Sequence, residues 1–440
     1  MKKIFLSILF SLITFNAYAL SIIIDEETES WLEDVLSPIM KEANIPISRD
    51  KIHIVKDSSL NAFVGDANHM FIHTGTLLKA SNTNEIEGVL AHETGHILGG
   101  HILRLKIQMK SIEKASLASL IAAAGAAAVS GRGDAAIAVV LGTQSSAINA
   151  ITAYQITEER AADETAINLL SKQNKSITGL KNFMEKIKTT NRLEGVSENT
   201  YFRTHPLTQE RISFFNEKIT NQKSTTTPNL DKRLERIQAK LYAYLSELPQ
   251  VLKKYPLNQT STEATIAHAV YYMRQRNLNS SLKYIEKLLS QEPENPYFWE
   301  LKAQALLEAS NPKEASLAYS QALKLKPNSD IYKINYAETL LATEPSRKDK
   351  LSLIPMLEHA NRNSNNPEAY HLLGRIHNDI GQFGISNYYL AEYYHLIGND
   401  NFAQKMLTKA LKTPLREDIQ LRAEDLKQKL SQKIKKDTIL

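Results

Sequence analysis

The chain of 440 residues contains no cysteine. That excludes disulfides and lipid attachment at a cysteine, so the folded protein has to be stable without covalent staples. It also lacks any apolar run of the roughly 20 residues that a membrane span needs. Charge of one sign is not in excess: the formal +5 falls to +3 once the two lysines at positions 2 and 3 are discounted, which gives no footprint for nucleic acid. No motif that would fix a substrate terminus, as an exopeptidase requires, is present.

What is present begins with a leader. Met1-Lys2-Lys3, the apolar stretch Ile4 to Phe15 and Ala17-Tyr18-Ala19 have the charged, apolar and small-x-small parts of a secretory signal, with cleavage expected after Ala19. The length suits two domains of about 100 to 200 residues. Residues 20–222 mix periods: a helical pattern around Trp31 to Ala43 is followed by strand-like runs at Ile52 to Val55, Asn61 to Val64 and Met70 to His73, so this half reads as α+β. The turn-prone Lys223 to Leu230 is the expected linker, and residues 231–434 read as helix throughout.

The second half repeats. Trp299, Ala303, Ala315, Tyr319, Ala322 and Pro327 fall on the aromatic, small and proline positions of the 34-residue tetratricopeptide template. Ala337 lies 34 residues after Ala303, and Tyr370 to Gly374 reopens the pattern, so about four degenerate units are expected, stacked as an all-α solenoid. Two further stretches carry two readings each. The apolar arms Leu117 to Val129 and Ala135 to Leu141, joined at Gly131-Arg132-Gly133-Asp134, are either buried helices or a lid or membrane-facing hairpin. The lysines from Lys427 to Lys436 are either a solvated helix face or a peripheral contact with anionic lipid.

The chemistry centres on His92-Glu93-Thr94-Gly95-His96, on a helix that Asn84 would cap with Glu87 as its partner three positions on. Histidines four apart share a helix face, so two neutral imidazoles can converge on one Zn2+, with Glu93 next in register for a water. A third ligand is required. The position six past His96 is Ile102, and His101 is one residue out on what is expected to be a continuing helix. The acidic pair in Thr157-Glu158-Glu159-Arg160-Ala161-Ala162-Asp163 offers better candidates: Glu159, with Asp163 one turn along to orient an imidazole, or its rival Glu158.

Asn61 to Phe63, Met70 to Leu77, Glu85 to His96, Glu159 with Asp163, and His205-Pro206 with Arg211, in that order, resemble the M48 family of zinc metallopeptidases. The leader and the repeats make the chain similar to the periplasmic, tetratricopeptide-containing branch of that family. The resemblance implies a zincin-type fold with one Zn2+ per chain held by His92, His96 and Glu159. It implies Glu93 as general base and Asp163 as the ligand-orienting carboxylate, with His205 and Arg211 near the metal. Either of these could stabilise the oxyanion, or His205 could occupy zinc's fourth position. The activity implied is endopeptidase cleavage of unfolded or misassembled proteins in the periplasm, with outer-membrane assembly machinery recruited through the repeats. The competing reading is a chaperone or assembly adaptor whose metal site is latched or silent.

Overall fold

The computed structural model describes residues 21–46, 49–65, 68–130, 155–194, 205–206, 208–219, 228–364 and 366–437. The leader 1–19, the arm 135–141 and linker residues 223–227 lie outside the described residues. The chain opens with β1 (Ile22–Ile23) and α1 (Glu26–Glu42), then β2 (Ile52–Val55), β3 (Ala62–Val64) and β4 (Met70–His73). The sheet order is β1-β2-β4-β3, with β2 parallel to β4 and β3 antiparallel to it. Alternation sets the faces: Ile54, Ile72, Ala62 and Val64 turn into the core, while Phe63, Phe71 and His53 stack on the other side, the two phenylalanine centroids 4.9 Å apart. Among the described residues β3 is the edge strand that flanks the helix carrying the histidine motif.

After α2 (Thr74–Lys79), that helix, α3 (Thr83–Gly99), runs through the middle of the first core, buried from Glu85 to His96. Its cap is not the expected Asn84. The Asn82 side chain accepts from the Glu85 amide at 3.2 Å, and the Glu85 carboxylate accepts from the Ser81 amide at 2.9 Å. The capping pair is thus shifted two residues upstream, which leaves Glu87 to pair with Lys175. Nor does the helix continue through His101. Gly100 adopts the left-handed conformation at φ 64°, closing α3, and α4 (His101–Ser130) sets off in a new direction. The apolar arm Leu117 to Val129 belongs to α4, and no described helix is long and apolar enough to cross a membrane. A helix over 155–171 (α5), then α6 (Thr178–Glu194) and α7 (Gln209–Lys218), complete this half.

The second half is a tetratricopeptide-like stack of helix pairs. α8 (Pro228–Leu245) and α9 (Leu248–Lys254) lead to α10 (Thr262–Arg274) with α11 (Leu278–Gln291), and α12 (Pro296–Glu308) with α13 (Pro312–Leu325). Then come α14 (Asp330–Leu341) with α15 (Arg347–Ser364), α16 (Pro367–Asp379) with α17 (Phe383–Leu396), and α18 (Asp400–Ala410) with α19 (Glu417–Asp437). Helix starts at 228, 262, 296 and 330 are each 34 residues apart, the period expected of such repeats. Ala303, Ala315 and Ala322 are fully buried where facing helices meet. The described residues hold more pairs than the four units expected, and the later first helices, starting at 330, 367 and 400, no longer keep the 34-residue step.

The first and second halves share α8. Residues 228–230, expected as linker, form its first turn, with Pro228 at the start where a missing N–H costs nothing. Leu234, Ile237 and Leu241 belong to the core of the first half, whereas Ala243 packs with α9, α10 and α11. Polar contacts fasten the same joint. The Trp31 indole donates to the Leu230 carbonyl at 2.9 Å, and Lys240 lies 2.8 Å from Asp25 and 2.7 Å from Glu27. Further along the stack, the fully buried Glu26 meets Arg49 at 2.9 Å, Lys326 at 3.0 Å and the Ser329 hydroxyl at 2.7 Å. Ile237→Ala is therefore expected to cost about 2 to 5 kcal/mol in urea unfolding; an unchanged midpoint would remove α8 from the first core.

Glu300, beside this joint, accepts the Tyr332 hydroxyl at 3.0 Å, and burial pushes its carboxyl up to about 8 against the pull of Lys240. An acid whose folded value is raised binds its proton more tightly folded than unfolded, so stability falls as pH climbs from its ordinary value of 4.5 towards 8. Glu300→Gln should raise the melting temperature at about pH 8.5 and leave it unchanged near pH 5. Equal shifts at both pH values would refute that assignment.

Candidate metal centre

Three segments converge on one buried point. α3 supplies His92, Glu93 and His96; α5 supplies Glu158, Glu159 and Asp163; and residues 205–206 with α7 supply His205 and Arg211. The approach of α5 depends on Gly95 inside the histidine motif, where a Cβ would stand 2.7 Å from the Ala162 carbonyl oxygen. With the two backbones in contact, the Nε2 atoms of His92 and His96 lie 3.1 Å apart, and the Glu159 carboxylate lies 3.3 Å from the first and 3.2 Å from the second. His205 Nδ1 closes the figure at 2.9 Å from Glu159 and 3.3 Å from His92 Nε2. One ligand atom from each of His92, His96, Glu159 and His205 lies within 4.8 Å of the others, and all four side chains are buried.

Each imidazole is steered from behind. Asp163 lies 2.9 Å from His92 Nδ1 and is itself gripped by Arg211, Nε at 2.7 Å and Nη2 at 2.9 Å. Arg211 Nη1 reaches Glu159 at 2.8 Å and donates to the Pro206 carbonyl at 2.9 Å. Its donors are therefore engaged in organising the carboxylates and the His205 turn rather than aimed at an oxyanion. On the other side, His96 Nδ1 meets His101 Nδ1 at 2.7 Å, His101 Nε2 contacts Glu158, and Glu158 accepts from Arg104 Nε at 3.2 Å.

Spacing alone left Glu158 and Glu159 open and the resemblance implied Glu159; the structure brings Glu159 to the imidazoles and turns Glu158 to His101. Arg104 escaped the sequence reading altogether. No spacing rule flags it, because its place depends on the chain reversal at Gly100.

Electrostatics follow from burial and neighbours. Burial raises the Glu93 carboxyl above its ordinary value, against the pull of His205 and His92. Burial also works against ionised Glu159, but His205 and His92 outweigh it and hold the carboxyl well below the usual range. Asp163 follows the same logic, with Arg211 overcoming burial. Burial alone would depress His92, yet Glu159 and Asp163 push it up to about 10, while burial dominates at His96 and takes it down to about 3. Two buried carboxylates, Glu159 and Asp163, thus share one guanidinium, and the buried Glu93 Oε1 has only His205 Nε2 nearby, at 3.5 Å. A divalent cation at the quartet would balance that charge, and the two nitrogen donors with one oxygen suit such an ion.

Residues 26–219 match peptidase family M48. This stretch is an M48 peptidase domain. The chain is 21% identical over 338 residues to the beta-barrel assembly-enhancing protease of Yersinia pestis, covering 75% of this chain and 69% of that one. A Vibrio cholerae serotype O1 relative is 23% identical over 399 residues, 88% of this chain and 81% of its own length. Metalloprotease YcaL of Escherichia coli K12 is 32% identical over 174 residues, 39% of this chain and 63% of that protein. The long alignments run beyond the M48 domain into the repeats, whereas the YcaL match spans less than half of the chain. Metal dependence accompanies this family, and among the described residues the buried quartet offers a group of ligand atoms.

If Asp163 orients His92, Asp163→Asn should weaken metal binding by about 10- to 100-fold in a chelator competition. Undiminished affinity would assign Asp163 to folding alone.

Proposed function

We propose that the chain is a zinc-dependent endopeptidase that acts on unfolded or misassembled proteins, with His92, His96 and Glu159 as the metal ligands. The observation that carries this reading is the convergence of those three side chains on one buried point beside Glu93, within a matched M48 domain. When bound, zinc would supply a Lewis acid that polarises the scissile carbonyl and acidifies a water. Glu93 would take a proton from that water on a carboxylate oxygen as the water oxygen adds to the carbonyl carbon, and would return the proton to the amine nitrogen as the C–N bond breaks. Burial, by raising its proton affinity, suits Glu93 to both transfers. Asp163 and Arg211 serve as positioning residues, holding His92 and Glu159 in register.

Substrate is held at β3 in this account. The edge strand lies alongside α3, and the Val64 amide donates to the Glu93 carboxylate, so an extended peptide paired with β3 would lie across the catalytic group. Main-chain pairing reads little sequence but demands an unfolded segment. That demand, the leader, and relatives named for beta-barrel assembly support a periplasmic role in quality control of outer-membrane proteins, with the repeats recruiting clients or the assembly machinery.

A second reading rests on His205. Its Nδ1 sits inside the quartet, where a water would otherwise stand, which favours a latched site in a protein that also works as an assembly adaptor. Zinc content and casein cleavage, measured on wild type and on Glu93→Gln, Glu159→Ala and His205→Ala, separate the possibilities. The expected pattern is about one zinc per chain, loss of cleavage with metal retained in Glu93→Gln, loss of metal in Glu159→Ala, and faster cleavage in His205→Ala. Should the wild type bind no zinc and every variant behave alike, the peptidase reading falls. In a client-assembly assay, the adaptor reading expects removal of residues 262–440 to be harmful and Glu93→Gln harmless.

A further inference from the structure

The final helix pair of the stack carries an open groove of about 780 Å³ between α18 and α19. Its floor is apolar: Leu407 and Leu430 are buried there, while Phe402 at the rim stays 44% exposed. That ring has defined neighbours, Tyr394 with centroids 5.3 Å apart and Lys405 Nζ at 5.0 Å from its centre. Four exposed lysines, Lys405, Lys409, Lys412 and Lys427, line the same groove, and among the described residues no carboxylate does. None of the four forms an ion pair among the described residues. Asp400, on the turn before Phe402, is taken up by His395 at 2.8 Å. Phe402, Lys405 and Lys409 recur at helical spacing, so α18 turns one mixed apolar and basic stripe to solvent.

Cations around an apolar floor call for an occupant that is both anionic and apolar. All four are lysines and none is an arginine, so the groove offers point charges without the planar fork that grips a single carboxylate or phosphate in one pose. Its lining polar side chains, Gln404, Thr408 and Ser431, are exposed, and so do not form a buried pocket that would orient one small molecule. Diffuse positive charge beside a projecting ring suits an extended surface. We propose that this end of the stack docks on an anionic lipid bilayer, with Phe402 entering the interface and the lysines reaching the headgroups. The lysine stems cover the apolar floor while their ammonium groups extend outward, as long cationic side chains do at such boundaries. The lysine-rich stretch from Lys427 to Lys436, which sequence alone left between a solvated face and a lipid contact, begins in this groove. The contact is independent of the metal centre and holds the chain at a membrane surface without a span.

The test uses residues 20–440, so that the apolar stretch of the leader cannot insert, in flotation with vesicles of phosphatidylcholine alone or with about 30% phosphatidylglycerol. Binding to the anionic vesicles should exceed binding to the neutral ones by at least about tenfold, and should fall steeply between about 0.1 M and about 0.5 M salt. Lys405→Gln and Lys409→Gln should each weaken it by about fivefold, and Phe402→Ser by about tenfold. All three side chains reach solvent, so the melting temperature should stay at the wild-type value. Lys313→Gln and Lys348→Gln, at exposed positions elsewhere on the stack, should leave binding within about twofold. An equal loss in those two would mean attraction by overall charge and would refute the groove. Equal binding to both kinds of vesicle, or unchanged binding in the three groove variants, overturns the proposal as well. If vesicles are not bound but fluorescein-labelled hexaglutamate is, and loses affinity in Lys405→Gln, the groove takes an acidic chain; if the protein alone is a dimer that Phe402→Ser dissociates, it seats a second copy. Either result overturns the lipid contact.

Discussion

Two carboxylates, Glu159 and Asp163, are buried against a single guanidinium, Arg211, with Glu93 close by, and the rest of the site follows from how that negative charge is held. Uncompensated buried charge would tear such a cluster apart, so each carboxylate must be fixed by a donor or await a cation. Arg211 binds Asp163 through two nitrogens and touches Glu159 with a third. Asp163 in turn sets the face that His92 presents. The arrangement that places ligand atoms together is thus the same one that makes a metal ion electrostatically welcome.

The geometry of that cluster depends on backbone contacts that carry no chemistry of their own. Gly95 lets α5 lie against α3, and Gly100 ends α3 so that His101 can fold back onto His96. The two imidazoles are consequently braced by two independent chains of contacts, one through Asp163 and Arg211, the other through His101, Glu158 and Arg104. A helix and its neighbours can hold converging side chains within a narrow tolerance only when the side chains behind them are themselves held.

Much of this was legible in the sequence, for identifiable reasons. His92 and His96 advertise themselves because a spacing of four residues is a geometric statement about a helix face. The strands were legible because alternation reports one buried face, and the stack because period 34 recurs. What escaped reading depends on events between elements. Glu158 and Glu159 are neighbours on one helix, and spacing alone could not separate them; the family resemblance implied Glu159, and the direction from which α5 approaches α3 is what distinguishes them physically. Asn82 and Asn84 are equally able to cap, and the choice falls to the residue whose oxygen meets an amide, here that of Glu85. The double allegiance of α8 was hidden because its starting position fits the repeat period while its apolar residues Leu234, Ile237 and Leu241 serve the other core.

That double allegiance fixes the length of one helix. Adding or deleting a single residue between Leu234 and Ala243 would rotate one end against the other by about 100°, so the face presented to the M48 domain and the face presented to the repeats could not both stay in register. Later in the stack the chain is free of that restriction: successive first helices start at 330 and 367, a step of 37 rather than 34. Insertions are tolerated between pairs that answer to one neighbour on each side. At α8, drift in sequence can change residues but not their number.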